Sequence, residues 1–518
     1  MNGAESLLRS LVDGGVELCI TNPGTSEMHF VAALDRVPGM RAVLALQENV
    51  VTGAADGYGR MLDKPAATLL HLGPGLANGL ANLHNAKRAH TPIVNVIGDH
   101  AVDHRALDAP LTSDVEAVAA PFSDWVRTSQ RVEDVGRDAA DAVAASLTRP
   151  GRIASLILPA DASWNEPGRP ARVPSPEVAA KASDEAVRSI AEHLTKGTSS
   201  VLLMSGAALR EGPLSIAAAI AEKTGARLLT NTFYSRLERG GDRAAIGRLP
   251  YFTEQAVAAI ADVEDLVLVH APAPVGFFAY PDKPSVVADP KTRIHTLASP
   301  EQDAAAALRA LADRLGIDSI ERGAHRSQAT IPDKPSGPLN PLVLAQAVGA
   351  TLPEHAIVVD ESNTGGLFLL DATAAAPAHD WLTLTGGAIG MGMPAATGAA
   401  LACPGRRVLN VESDGSAMYT IQALWTQARE SLDVTTLLLS NRSYAILNLE
   451  LQRTGAAPSK QAEQLFDLGR PELDFVAIAR GMGVPGERVE DGESLVRALG
   501  RSYAEPGPRL IEVGLEGR

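Results

Sequence analysis

The stretch from Val411 to Asn441 (VESDGSAMYTIQALWTQARESLDVTTLLLSN) carries residues suited to holding a phosphate and a divalent cation. An apolar run, RVLNVES, leads into Asp414-Gly415-Ser416. A helical pattern with an apolar face follows, and a second apolar run ends at Asn441. Asp414 and Asn441 are therefore expected at the carboxyl ends of two strands, the edge where open α/β sheets bind ligands. A carboxylate and an amide oxygen are hard ligands of the kind Mg²⁺ takes alongside phosphate oxygens. Gly415 would let the backbone approach a phosphate closely, and a helix N-terminus there would favour negative charge. Alone, Asp-Gly-Ser reads as a strand–turn–helix with a capping Asp; the strand-end Asn makes it a candidate site. Gly386 to Gly392 (GGAIGMG) forms a second Gly-rich turn, before the helix AATGAALA. Ser362, Asn363 and Thr364 follow the strand AIVVDE and could also contact a diphosphate.

Two more candidates lie near the N-terminus. Glu48, in LALQENVVTGAADGYGRM, ends an apolar stretch and opens a helix bearing Ala54, Ala55 and Gly57. Such small residues permit close approach by a neighbouring helix or ligand. A lone Glu at a helix start ordinarily serves capping and the helix dipole. His71, in LLHLGPG, ends a strand beside Gly73-Pro74-Gly75, a place suited to general acid–base work. His100 and His104 read equally as acid–base groups or surface histidines.

These positions need sheets to hold them. Apolar runs of strand length recur in each third of the chain: ELCIT, AATLLHL, PIVNVIGD and ASLILP, then SVLLMSG, ARLLTN and LVLVHAP, then AIVVDE, RVLNVES, VTTLLLSN and PRLIEVG. Helical patterns such as SEMHFVAALDRV, EQAVAAIADV and PLVLAQAVGATL separate them, which implies parallel sheets covered on both faces. The Ala-rich run after Asp303 reads as one more packed helix. Pro-rich stretches at Glu166–Pro176 and Ile331–Pro341 read as linkers. They divide the 518 residues into 1–165, 177–330 and 342–518, three α/β domains with doubly wound parallel sheets.

A net charge of −15 excludes a nucleic-acid or anionic-membrane surface as the expected partner. No uncharged apolar run reaches the roughly 18–20 residues a bilayer span needs, and no secretory signal pattern opens the chain, so a cytoplasmic enzyme is expected. The two cysteines, Cys19 and Cys403, read as free thiols beside apolar runs.

The Asp414–Asn441 segment resembles the thiamine diphosphate (ThDP) motif of the pyruvate oxidase/acetolactate synthase/benzoylformate decarboxylase superfamily. The resemblance implies a fold in the order pyrimidine-binding, middle and diphosphate-binding domain. It assigns Asp414, Asn441 and the backbone carbonyl of Ser443 to Mg²⁺, and places Gly415, Ser416 and Ala417 by the diphosphate. Gly387 falls in the turn against the aminopyrimidine, and Ile389 at the bulky position that bends the cofactor. Two residues depart from the motif: Ser413 replaces its first Gly, and Arg442, which must take a positive φ, replaces the Gly after Asn441.

Glu48 stands eight residues before Asp56-Gly57-Tyr58-Gly59, the family spacing for the Glu that activates the cofactor. In the family that Glu serves a partner subunit, implying a homodimer or homotetramer with interfacial sites. Asn22-Pro23-Gly24-Thr25-Ser26-Glu27 resembles the Asn-Pro-Gly-Ser-Asn-Glu of benzoylformate decarboxylases, which puts their active-site Ser on Thr25 and a proton-relaying His on His71. Their second His falls on Ala279. The resemblance implies a 2-oxo acid decarboxylase or carboligase that forms a covalent adduct and enamine on ThDP, with Ile446, Leu447 and Leu449 lining the substrate pocket. An acetolactate-synthase-like carboligase and a non-catalytic ThDP-fold protein are the alternatives. No Gly-rich dinucleotide turn is evident in 177–330, so FAD is not expected.

Overall fold

The computed structural model describes residues 1–175, 178–320, 323, 325–457 and 459–515. Pro176 and Glu177, where the first Pro-rich stretch ends and the second expected segment begins, lie outside them, as do 516–518.

Three sheets form the described residues, parallel throughout except for one edge strand of the third. The first has six strands, in the spatial order Arg41–Leu44, Leu18–Thr21, Ala66–His71, Ile93–Asp99, Ile153–Pro159 and Trp125–Thr128. The second has five: Gly247–Arg248, Arg227–Thr230, Ser200–Met204, Asp265–Val269 and Arg293–Ala298. The third has seven: Gly486–Val489, Arg509–Gly514, Val434–Ser440, Val408–Ser413, Ile357–Glu361, His379–Thr383 and Leu237–Arg239. The last strand comes from the middle of the chain and pairs antiparallel with His379–Thr383, so the central segment contributes an edge to the third sheet.

The strands are continuous apolar runs because both faces are covered by helices. Ile93–Asp99, Ile153–Pro159 and Val434–Ser440 are buried at every position. Helices join successive parallel strands, as crossovers of this kind require. The Ala-rich run is the helix Ala304–Arg314, capped by the Asp303 carboxylate, which accepts from the Ala306 N–H. Cys19 is buried and its thiol is pushed up to about 12 by burial; Cys403 is half-buried, and both are free. No helix among the described residues is long and apolar enough to cross a membrane.

The first and third sheets meet through two helices, Glu48–Leu62 and Gly392–Ala402. Their backbones touch: a Cβ at Gly398 would stand 1.8 Å from the Ala54 carbonyl oxygen, and one at Gly57 would stand 2.0 Å from that of Ala395. The small residues after Glu48 thus admit a neighbouring helix. A fully buried ion pair reinforces the contact. Arg60 bonds both oxygens of Asp56, at 2.9 and 2.5 Å, and donates across the junction to the Thr383 carbonyl at 2.7 Å. Arg236 ties the central segment in, bonding Asp380 at 2.7 Å and the Met61 carbonyl at 2.8 Å. These bonds fix the first and third sheets relative to each other.

Candidate active site

In the third sheet the strand order reverses between Ile357–Glu361 and Val408–Ser413, and the candidate residues gather at that switch point. Asp414 follows the second of these strands, and Asn441 follows the adjacent strand Val434–Ser440. Asp414 is buried. Its oxygens accept from the N–H of Gly415 at 2.8 Å and of Arg442 at 2.6 Å. Burial raises its pKa, and the backbone N–H groups partly offset this. Arg442 takes the positive φ expected of it, 55°. The Asn441 side-chain oxygen accepts from the Ser443 N–H at 3.0 Å. The Asp414 carboxylate and the Asn441 amide oxygen, at the ends of adjacent strands, are oxygen donors of the type a hard divalent cation takes.

The diphosphate turn lies alongside. Asn363, held at φ 48°, donates to the hydroxyls of Ser413 at 2.7 Å and Ser416 at 3.1 Å. Ser413 and Ser416 bond each other at 2.9 Å. The side chain at 413 is therefore absorbed into a polar network. The Ser362 hydroxyl turns back onto Asp360 at 2.5 Å, while Thr364 sits in the turn Asn363–Gly366. Ala417 packs its methyl into the core between the first and third sheets. A Cβ at Gly415 would stand 2.4 Å from the Tyr444 ring, so any side chain here would have to displace that ring. The helix expected after Asp414 is two short ones, Asp414–Thr420 and Ala423–Arg429.

The Gly386–Gly392 turn is pinned by its own chain. Asn85 bonds Ala388 through both its N–H and its carbonyl, and Asn82 donates to the Gly390 carbonyl at 3.1 Å. Gly387 has φ 74°, and Ile389 rests half-buried against the same core. Beneath the turn lie two buried carboxyls that sequence reading missed, Glu361 and Glu412. Burial raises both, and for Glu412 the neighbouring Glu361 charge adds to it. Two carboxyls this close and this buried do not both ionise near neutrality. Their signal in the sequence was a charged residue at the end of an otherwise apolar strand. The helix Ala445–Arg453 has no buried residue, so Ile446, Leu447 and Leu449 are not core-helix residues.

On the first sheet, strand order reverses between Leu18–Thr21 and Ala66–His71. Glu48 and His71 lie near this edge. Capping of the helix Glu48–Leu62 falls to Gln47, whose side chain accepts from the N–H of Asn49 and Val50. The Glu48 carboxylate is thereby free to be clamped by Asn22 at 3.3 Å and Asn78 at 3.1 Å, and it is buried. His71 Nδ1 lies 2.9 Å from buried Glu27, whose other oxygen accepts from Ser26 at 2.9 Å. The carboxylate can only accept, so Nδ1 carries the proton and Nε2 is the nitrogen left to exchange one. Gly24 and Gly98 make room for the pair: a Cβ at 24 would meet His71 Nδ1 at 2.2 Å, and one at 98 would meet Glu27 at 1.7 Å. Thr25 is exposed at the start of the turn Thr25–Glu27. Asn22, Glu27 and Asn78 were not singled out individually, although Asn22 and Glu27 lie inside the quoted motif. His100 and His104 face each other at 5.2 Å beyond the strand Ile93–Asp99.

Two other features stand apart. A crevice of about 1200 Å³ at the carboxyl edge of the second sheet, lined by Ser205, Gly206, Arg210 and His270, contains none of the expected site residues. His193, Asp265 and His295 cluster at the other end of that sheet. There Arg293 bonds both Asp265 oxygens at 2.8 Å, so the carboxylate serves an ion pair.

Comparison with known proteins agrees with this architecture. Residues 1–118 match the thiamine pyrophosphate enzyme N-terminal TPP binding domain, and residues 368–513 match the C-terminal TPP binding domain. A Mycobacterium tuberculosis protein named as a candidate acetolactate synthase large subunit, IlvX, is 54% identical over 99% of both chains. Benzoylformate decarboxylase of Pseudomonas aeruginosa is 28% identical over 96% of both. The fold matches a solved 4-hydroxybenzoylformate decarboxylase of Rhodococcus jostii RHA1 with a TM-score of 0.84 over 100% of both chains, at 24% identity. The chain belongs to the thiamine pyrophosphate enzyme family, and is related within it to both acetolactate synthases and benzoylformate decarboxylases.

Proposed function

We propose that the protein is a ThDP- and Mg²⁺-dependent 2-oxo acid decarboxylase or carboligase. The observation that supports this reading is that the oxygen donors Asp414 and Asn441, with Ser443 two residues on, lie at the same sheet edge as the Asn363–Ser413–Ser416 network. Those donors would hold the metal. The network, with Gly415 and the backbone at Ala417, Ser362 and Thr364, would hold the diphosphate. Gly387 and Ile389 would face the aminopyrimidine. ThDP, when bound, supplies a nucleophilic carbon and an electron sink for the bond to the departing carboxylate.

The residues of this chain do the rest. Glu48, its two oxygens positioned by Asn22 and Asn78, holds a proton at the pyrimidine nitrogen. His71, oriented by Glu27, delivers and removes protons through Nε2. Thr25 and Ile446 shape the substrate pocket. Glu48 acts on the site of a partner copy, so the working form is a homodimer or homotetramer, in the cytoplasm. The segments 1–165, 177–330 and 342–518 act as pyrimidine-binding, central and diphosphate-binding domains.

The fate of the substrate after CO₂ leaves separates two readings. The Glu27–His71 pair favours protonation to an aldehyde, whereas the 54% identity to IlvX favours an acetolactate-synthase-like ligation. Incubation with pyruvate, benzoylformate and branched 2-oxo acids, with CO₂ and product analysis, is the test. Free aldehyde supports the first reading and acetolactate the second. No CO₂ from any of them would refute both.

A further inference from the structure

Glu361 has no part in the chemistry above, yet its carboxylate holds the Gly386–Gly392 turn and its strand ends beside the Ser413–Ser416 turn. It ends the strand Ile357–Glu361 and is buried. On one side it accepts from the N–H of Gly390 at 2.7 Å and of Gly392 at 2.5 Å. On the other side its strand pairs it with Glu412, directly before the Ser413–Ser416 turn, and the nearby Ser416 hydroxyl, which joins Ser413 and Asn363, favours its charged form. Gly392 is closed in from the same direction: a Cβ there would stand 2.2 Å from Glu412 and 3.1 Å from Glu361.

We propose that Glu361 is a positioning residue that sets the separation between the Gly386–Gly392 turn and the Ser413–Ser416 turn. This rests on the reading of those turns as holding the two ends of ThDP. The physical argument is one of donors and acceptors. Gly387 and Gly390 have φ 74° and 92°, so this segment has left regular structure and depends on side chains to hold its N–H groups. A carboxylate offers acceptors alone, and can take two backbone N–H groups and a hydroxyl at once. No neutral isostere can do so. A Gln at 361 would turn an NH₂ group toward one of these donors, and the two turns would lose their common anchor. The loss falls on a ligand that must meet both turns at once, because preorganisation assists only binding that uses the whole geometry. A ligand that meets one turn is spared.

The test is calorimetric titration of full-length wild type, Glu361→Gln and Glu361→Asp, in Mg²⁺, with ThDP, with thiamine and with inorganic pyrophosphate. Glu361→Asp keeps both oxygens and withdraws them by one methylene, so it gives an independent reading if Glu361→Gln folds poorly. Glu412→Gln is the control, an isosteric change in the same buried pair that leaves the Glu361 bonds to Gly390 and Gly392 in place. The expected result is ThDP affinity reduced about 10- to 100-fold in both Glu361 variants, with thiamine and pyrophosphate each changed less than about threefold, and ThDP affinity changed less than about threefold in Glu412→Gln. Equal weakening of all three ligands would show general damage and overturn the proposal. So would unchanged ThDP affinity in the Glu361 variants, or an equal loss in Glu412→Gln. If wild type fails to bind ThDP, the cofactor reading fails and this inference falls with it. If wild type binds and the selective loss is missing, this inference alone fails.

Discussion

Replacing Glu27 by Gln isolates the role of the His71 partner. Glu27 is buried, and its Oε2 lies 2.9 Å from His71 Nδ1 while also accepting from the Gly24 N–H at 2.8 Å. A hydrogen bond to a charged group is worth about 1.5–3 kcal/mol. Exchange for a neutral hydrogen bond, worth about 0.5–1.5 kcal/mol, costs about 1–1.5 kcal/mol, and at about 1.4 kcal/mol per decade that corresponds to roughly 5- to 12-fold in any step that needs His71 in this orientation. Gln keeps the shape and the Gly24 contact but loses the charge that fixes the tautomer. Steady-state turnover of the 2-oxo acid found to be the substrate should fall by that factor, while ThDP affinity stays within about threefold because Glu27 does not face the cofactor turns. A double-mutant cycle sharpens the reading: Glu27→Gln added to His71→Ala should cost little beyond His71→Ala alone. Full additivity, or wild-type turnover in Glu27→Gln, would refute the claim that Glu27 works through His71.

Further outcomes are expected. Asp414→Asn should abolish the metal dependence of ThDP binding and weaken it at least about 100-fold, read by titration across Mg²⁺ concentrations. Gly398→Ala would place a Cβ 1.8 Å from the Ala54 carbonyl oxygen and force the two interdomain helices apart. Overpacking of this kind costs about 1–3 kcal/mol, so a fall in Tm of several degrees is expected; an unchanged Tm would mean the helices are not in contact. Burial of Asp265 would by itself raise its pKa, but bonds from Arg293, His295 and Thr198 outweigh it and hold the carboxyl well below the usual range. A depressed carboxyl contributes stability above its unfolded pKa, about 3.9, and loses that contribution as pH falls below it. Asp265→Asn should therefore flatten the acid limb of a urea-midpoint profile below about pH 4, and an unaltered limb there would count against the ion pair.

The three-sheet architecture was legible because most interior strands are unbroken apolar runs, and all eleven of the strand runs quoted became strands. The strands that escaped notice lack that signal. Arg41–Leu44 and Gly247–Arg248 are sheet edges with exposed residues, and His379–Thr383 (HDWLT) is buried, with Asp380 and Thr383 partnered by Arg236 and Tyr234 of the central segment. Leu237–Arg239 crosses to another sheet, which no local pattern encodes. In the site, Asp414, Asn441 and the strained Arg442 were legible because strand ends and glycine positions are local features. Glu27, Asn22 and Asn78 act across folded distances of 26 to 44 residues, and such pairings arise from topology. The Glu361–Glu412 pair was marked only by charge at the end of two apolar strands, a pattern that names burial but not a partner.

Titration of metal-stripped protein with ThDP, with and without Mg²⁺, tests the central claim most directly. Saturable binding that requires Mg²⁺ is the expected result, because Asp414, Asn441 and Ser443 would hold the metal, whose charge would favour the diphosphate. Absence of binding under both conditions would contradict it, and would mean that the Ser413 network and Arg442 close the site to the cofactor.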